Sequence, residues 1–174
     1  MMLYILRHAE AEPAGQRGGD AARKLTPRGR ARMRAASAGL VALGLKFDAI
    51  LTSPLVRAKE TAEIVAEAYP DGAKPQELQA LVGSVPADKA VAALAPFARN
   101  ENVLAVGHEP QLSALVALLL TGTREGLQMS LKKGACVALE LTRRFETGTA
   151  RLSWMLTQRQ LRRIGKRSSR VRDR

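Results

Sequence analysis

Three short apolar runs, each breaking into a polar residue and then a helix start, constrain this chain more than any other feature. Residues 2–6 end at Arg7-His8, residues 47–51 end at Thr52-Ser53, and residues 102–107 end at His108. Apolar runs of this length bounded by turn residues read as buried strands. Thr26-Pro27, Ser53-Pro54, Pro86 and Pro110 read as helix starts, because Ser and Thr can cap and Pro suits the first helical turn. The pattern predicts helices to about Leu43, with Gly44 as the stop, to about Tyr69, over 86–98 and over 110–120. Residues 73–85 carry no clear pattern. Residues 135–141 and 150–156 read as two strands that could pair as a hairpin.

Strands alternating with helices predict an α/β fold: a three-layer α/β/α sandwich around a mostly parallel central sheet. In such sheets ligands sit beyond the carboxyl ends of the strands. His8, Ser53 and His108 each fall at that position on a different strand. They are expected to converge on one edge.

The chain has only two histidines, and both belong to that set. Arg7 adjoins His8. Arg57 is expected about one turn inside the helix opened by Ser53-Pro54, with its guanidinium able to reach back to the helix N-terminus. Two arginines, two imidazoles and a helix N-terminus supply the donors that a dianionic phosphoryl group wants. One neutral imidazole can attack phosphorus. The other can donate to oxygens that gain charge in the transition state. No His, Cys, Asp and Glu cluster has metal-ligand spacing. The chemistry is expected to need neither metal nor cofactor. The glycines at 15–19 lack the Gly-Lys-Ser/Thr ending of a phosphate loop and read as a mobile loop. Glu60, Glu63 and Glu67 read as a solvated helix face, and Cys136 as a small core residue.

Composition bounds the rest. A chain of 174 residues suits one domain with a sizeable core. No apolar run approaches the ~18 residues of a membrane span. A single cysteine excludes an internal disulfide and fits a reducing, cytoplasmic setting. Residues 157–174 hold eight Lys or Arg and one Asp, more than half of the net charge of +12. Residues 1–160 are read as the domain and 161–174 as a basic tail, solvated and partly disordered. No aromatic interleaves those charges, so nucleic acid is not expected as a partner.

Leu6-Arg7-His8, then Ser53-Pro54-Leu55-x-Arg57-Ala58-x-x-Thr61-Ala62, then Gly107-His108-Glu109-Pro110 resemble the histidine phosphatase, or phosphoglycerate mutase-like, superfamily. The short length, Leu25-Thr26-x-x-Gly29, Leu131-Lys132-Lys133-Gly134 and Trp154-x-Leu156-Thr157 resemble its SixA-type phosphohistidine phosphatases. The resemblance spans about residues 2–160. It implies that His8 is transiently phosphorylated and that Arg7, Arg57 and His108 hold the phosphoryl oxygens. It suggests Arg23 as a further phosphate contact. Two departures stand out. Ala9 replaces the glycine that usually follows the nucleophile. Residues 78–83 hold no carboxylate where many relatives carry a glutamate acid. A protonated imidazole leaves more readily than an alkoxide, so the second departure favours phosphohistidine on a protein as substrate. Small phosphorylated substrates stay open if Glu10 serves as the acid. So does a catalytically weak phosphoprotein- or nucleic-acid-binding module, given Ala9 and the tail.

Overall fold

The computed structural model of the protein describes residues 1–15, 19–142 and 145–172, with side chains through residue 168. Residues 16–18 of the glycine-rich loop and residues 173–174 of the basic tail lie outside the described residues. Six strands form one sheet: β1 Met2–Arg7, β2 Ala49–Thr52, β3 Pro75–Glu77, β4 Asn102–Gly107, β5 Cys136–Glu140 and β6 Arg151–Leu156. Their order is β3-β2-β4-β1-β5-β6. The first four run parallel, and β5 and β6 add an antiparallel hairpin beside β1.

The apolar runs are continuous because both faces of the sheet are covered. Parity sorts their side chains. Leu3, Ile5, Leu51, Val103, Ala105 and Val137 pack with α3 Ala87–Leu94 and α4 Gln111–Thr121. Tyr4, Leu6, Ile50, Leu104, Val106 and Cys136 pack with α1 Pro27–Ala42, α2 Val56–Glu67 and α5 Gln158–Arg172. The expected three-layer sandwich is therefore the observed fold. α1 starts as its sequence predicts: the Thr26 side chain accepts from Gly29 N–H, Pro27 opens the helix, and Gly44 follows its end at φ 74°.

Four expectations are corrected. Residues 75–77 form an edge strand and 79–81 a 3-10 turn. A three-residue, Pro-led, half-exposed strand carries no apolar signature. The helix expected over 86–98 stops at Leu94 and continues as a 3-10 turn, Ala95–Arg99. Pro96 lacks the N–H that an α-helix would use there. α2 begins at Val56, and Ser53 does not cap it. Last, residue 160 is not the edge of ordered structure. α5 runs through it and packs along α1, with Leu161 fully buried. Leu161, Ile164, Gly165 and Ser168 follow helical spacing, and the first three of these are buried or half-buried. A Cβ at Gly39 would overlap the Leu161 carbonyl, and one at Gly165 would lie 2.9 Å from Gly39 N. The two glycines let the helix backbones meet. No helix among the described residues is long and apolar enough to cross a membrane.

Candidate active site

Strand register builds the site. Arg7 pairs with Gly107 across β1 and β4, so His8 and His108 leave the sheet side by side. Thr52 pairs with Val106, which brings Ser53 to the same edge. Backbone bonds continue the ladder past the strands: His8 N–H donates to Gly107 O at 3.1 Å and Ser53 N–H to Val106 O at 3.0 Å. The two imidazole centroids are 5.0 Å apart with their planes at 50°. His8, His108 and Arg57 are all buried.

Each ring has a defined partner. His8 Nδ1 lies 2.7 Å from Ala9 O. A carbonyl only accepts, so Nδ1 carries the hydrogen and Nε2 keeps its lone pair. His108 Nε2 lies 2.8 Å from Ser53 Oγ. Ser53 Oγ also accepts from Leu55 N–H at 3.3 Å. The serine expected as a helix cap is thus the partner of the second histidine. Burial pushes the His8 imidazole down to about 3, against the opposing bond to Ala9 O. His108 and the two arginines lower it further. Burial, then Arg57, pushes His108 down to about 4, while Asp20 pulls it upward. Both rings are neutral near pH 7, as an imidazole nucleophile must be.

Arg57 stands in the first turn of α2, nearer its N-terminus than the sequence implies. Its Nη1 donates to Asp20 O at 2.7 Å and its Nη2 to Asp20 Oδ2 at 2.9 Å. Arg7 Nη1 donates to Leu131 O at 2.6 Å. Leu131 N–H in turn reaches the Glu109 carboxylate, which Ser113 also holds. Gly134 N–H bonds the carbonyls of Arg7 and His8. Segment 131–134 therefore clamps the end of β1. Arg7 Nε, Arg57 Nε and His108 Nδ1 are buried and meet no hydrogen-bond partner among the described residues. Buried polar nitrogens are rarely left unmet. Three of them at the converging ends of β1, α2 and β4 suit an anion.

Ala9 brings no backbone strain, since φ is positive at Phe145 alone among the described non-glycine residues. Ala9 is fully buried, and its N–H donates to Thr61 Oγ1, whose hydroxyl donates to Arg57 O. Arg23 does not present a free guanidinium. Its Nη1 bonds Asp20 Oδ1 at 2.7 Å and its Nε bonds Glu12 O at 2.7 Å. Glu10 is taken up by α1, with Arg32 at 3.2 Å and Arg28 at 4.0 Å. Glu60 is not a solvated bystander: it takes both Nη atoms of Arg30 and Leu25 N–H, which ties the loop before α1 to α2. The segment without a carboxylate does adjoin the site. A Cβ at Gly83 would lie 3.0 Å from His108 Cβ. Gln111 Nε2 holds this segment by donating to Ala80 O and Val85 O, both at 2.7 Å.

Sequence reasoning missed Ser53 as a partner of His108, Thr61, the Glu109–Leu131 relay and Asp20. Ser53 and Thr61 lie within the motif around Arg57, and Glu109 follows His108. Adjacency was their only signal. Nothing in the sequence marked Asp20.

Comparison with known proteins agrees with this fold. Residues 3–82 match the histidine phosphatase superfamily (branch 1). An uncharacterized protein of Picosynechococcus is 37% identical over 141 residues, 80% of this chain and 84% of that one. In fold the chain resembles the protein histidine phosphatase SixA complexed with tungstate, at a TM-score of 0.81 and 24% identity, over 92% of this chain and 99% of that one. A putative alpha-ribazole-5'-P phosphatase of Escherichia coli aligns at a TM-score of 0.70 and 20% identity, over 91% and 97% of the two chains. With its sheet, its strand-end histidines and these relatives in agreement, the chain belongs to the histidine phosphatase superfamily, branch 1.

Proposed function

We propose that the protein is a phosphatase that hydrolyses phosphohistidine on a protein substrate through a phosphorylated His8. His8 Nε2, holding the lone pair, attacks phosphorus in line with the leaving nitrogen. The phosphorus–nitrogen bond to the substrate breaks as the bond to Nε2 forms. Arg7, Arg57 and His108 take the equatorial oxygens, each offering at least one nitrogen that has no other partner among the described residues. The bond from Ser53 to His108 permits the tautomer in which Nδ1 carries the hydrogen and donates. Water then attacks the phosphoenzyme, and His8 leaves. No step draws on a metal or cofactor.

The observation that carries the substrate choice is the segment against His108. Gly83 stands there, and residues 78–83 offer no proton donor of carboxylic type. Glu10, the alternative acid, is held by two α1 arginines. An alkoxide leaving group forgoes a typical ~10²–10⁴-fold of acid catalysis under those conditions. An imidazole protonated from solvent does not need it.

The test compares a phosphohistidine protein, p-nitrophenyl phosphate and an alkyl phosphate at equal pH. The phosphohistidine protein should give the highest kcat/KM and the alkyl ester the lowest. His8→Ala should abolish turnover of all three and the acid-labile phosphoenzyme. Comparable rates for the alkyl ester, lost in Glu10→Gln, would transfer the assignment to small phosphomonoesters.

A further inference from the structure

The best-connected guanidinium of the site is already bound to an anion of the chain itself. Asp20 follows Gly19, at φ 73°, and opens a short 3-10 turn. Its carboxylate divides between Arg57 Nη2 at 2.9 Å and Arg23 Nη1 at 2.7 Å. Its backbone carbonyl takes Arg57 Nη1. The Arg57 side chain is 8% exposed and that of Asp20 is 59% exposed. One partner is fixed in the floor, and the other reaches in from the solvent side. The loop that carries Asp20 is anchored at its base, where Glu12 N–H donates to Lys24 O and Ala11 bridges Leu25.

A phosphoryl group can meet Arg57 in two ways. End-on, it needs Nη1 and Nη2, and Asp20 holds both. Side-on, it needs Nε and Nη2, which places a dianion at the nitrogen that already carries the Asp20 carboxylate. The first approach requires Asp20 to leave, and the second sets like charges together. Both oppose anion binding while Asp20 stays.

We propose that Asp20 is a competing internal anion: it contests Arg57 with the phosphoryl group, yields to a substrate that brings further contacts, and returns to help expel inorganic phosphate. The proposal rests on the reading of Arg57 as a phosphoryl contact. It makes Asp20 a determinant of selectivity against the bare phosphate ion. Arg23 becomes the tether that holds Asp20 at Arg57 and does not itself touch phosphate.

Titration calorimetry with inorganic phosphate on wild type, Asp20→Asn, Arg23→Gln and Arg57→Ala tests this, together with kcat and KM on p-nitrophenyl phosphate. Asp20→Asn should bind phosphate about 3- to 10-fold more tightly, the scale of a half-exposed charge pair. Its KM should fall with kcat held, because the anion is relieved in ground and transition states alike. Arg23→Gln should move phosphate affinity in the same direction by less. Unchanged or weaker phosphate binding in Asp20→Asn, with Arg57→Ala impaired, overturns the competition alone. It would leave Asp20 as a residue that orients Arg57. Weaker binding in Arg23→Gln would instead make Arg23 a direct phosphate contact and overturn the tether. Phosphate affinity indifferent to Arg57→Ala would overturn the reading of the site and the competition with it.

Discussion

Ser53→Ala removes one oxygen atom from the floor of the site and should reveal what His108 does. Ser53 is fully buried and His108 is 3% exposed, so no bulk water can replace the 2.8 Å bond between them. The variant leaves His108 Nε2 unmet, and Leu55 N–H loses its acceptor. A buried polar group stripped of its partner costs about 1–3 kcal/mol. For a chain of this size each kcal/mol lowers Tm by about 2–4 °C, so a fall of about 2–12 °C is expected. The catalytic effect is separable. Without Ser53 the imidazole loses the bond that supports its Nδ1–H tautomer and fixes its plane. If 1–2 kcal/mol of transition-state stabilisation goes with it, kcat/KM falls about 5- to 30-fold. His108→Ala, which deletes the donor altogether, should cost about 10²–10³-fold. The assay is a double-mutant cycle on p-nitrophenyl phosphate with melting curves in parallel. In the His108→Ala background, Ser53→Ala should alter kcat/KM by less than about 2-fold, because residues acting through one another do not add. A full 5- to 30-fold loss in that background would refute the argument, since Ser53 would then act on the reaction without His108.

Other outcomes follow from the same geometry. Arg57→Lys should remain at least about tenfold impaired, because an ammonium cannot replace a planar fork; near-wild-type rates on p-nitrophenyl phosphate would show that charge alone suffices. Both histidines have folded-state pKa values below the ordinary 6.5, so the unfolded chain binds more protons than the folded one between pH 6.5 and about 3–4. Stability should therefore be intact above pH 6.5 and decline as pH falls through that window, and His8→Phe should flatten the decline in denaturant titrations. Leu161→Ala should destabilise the protein by about 2–5 kcal/mol, as for other fully buried leucines, and a midpoint unmoved in urea would show that α5 does not contribute to the core.

The strand ends were legible because buried parallel strands advertise themselves as apolar runs, and whatever follows such a run lies at the functional edge. That logic places His8, Ser53 and His108 together. It could not see β3, whose Pro75-Gln76-Glu77 owes its place to pairing with β2 and carries no apolar pattern. It misjudged the C-terminal segment because charge dominates α5, while the face that packs consists of Leu161, Ile164 and Gly165. It took Ser53 for a helix cap because local chemistry favours one, yet a buried imidazole one strand away took the hydroxyl. Arg23, Glu10 and Glu60 have partners within the chain that the sequence does not mark. Whether a charged side chain faces substrate or another side chain depends on what the fold brings opposite to it. For these three the opposite groups are Asp20, the α1 arginines and Arg30.

The placement of β1 has a consequence for how this protein loses its activity. β1 has hydrogen-bonded neighbours on both sides, and the backbone ladder extends through His8 itself. Local opening thus has no free edge from which to peel His8 away. The rim behaves differently, because Asp20 belongs to a loop whose only ladder contact among the described residues is the single bridge at its base. Heating should therefore erode selectivity between phosphate and substrate before it erodes turnover. Turnover should then vanish in step with the global loss of the sheet, which makes residual activity on a small ester a direct gauge of the folded fraction.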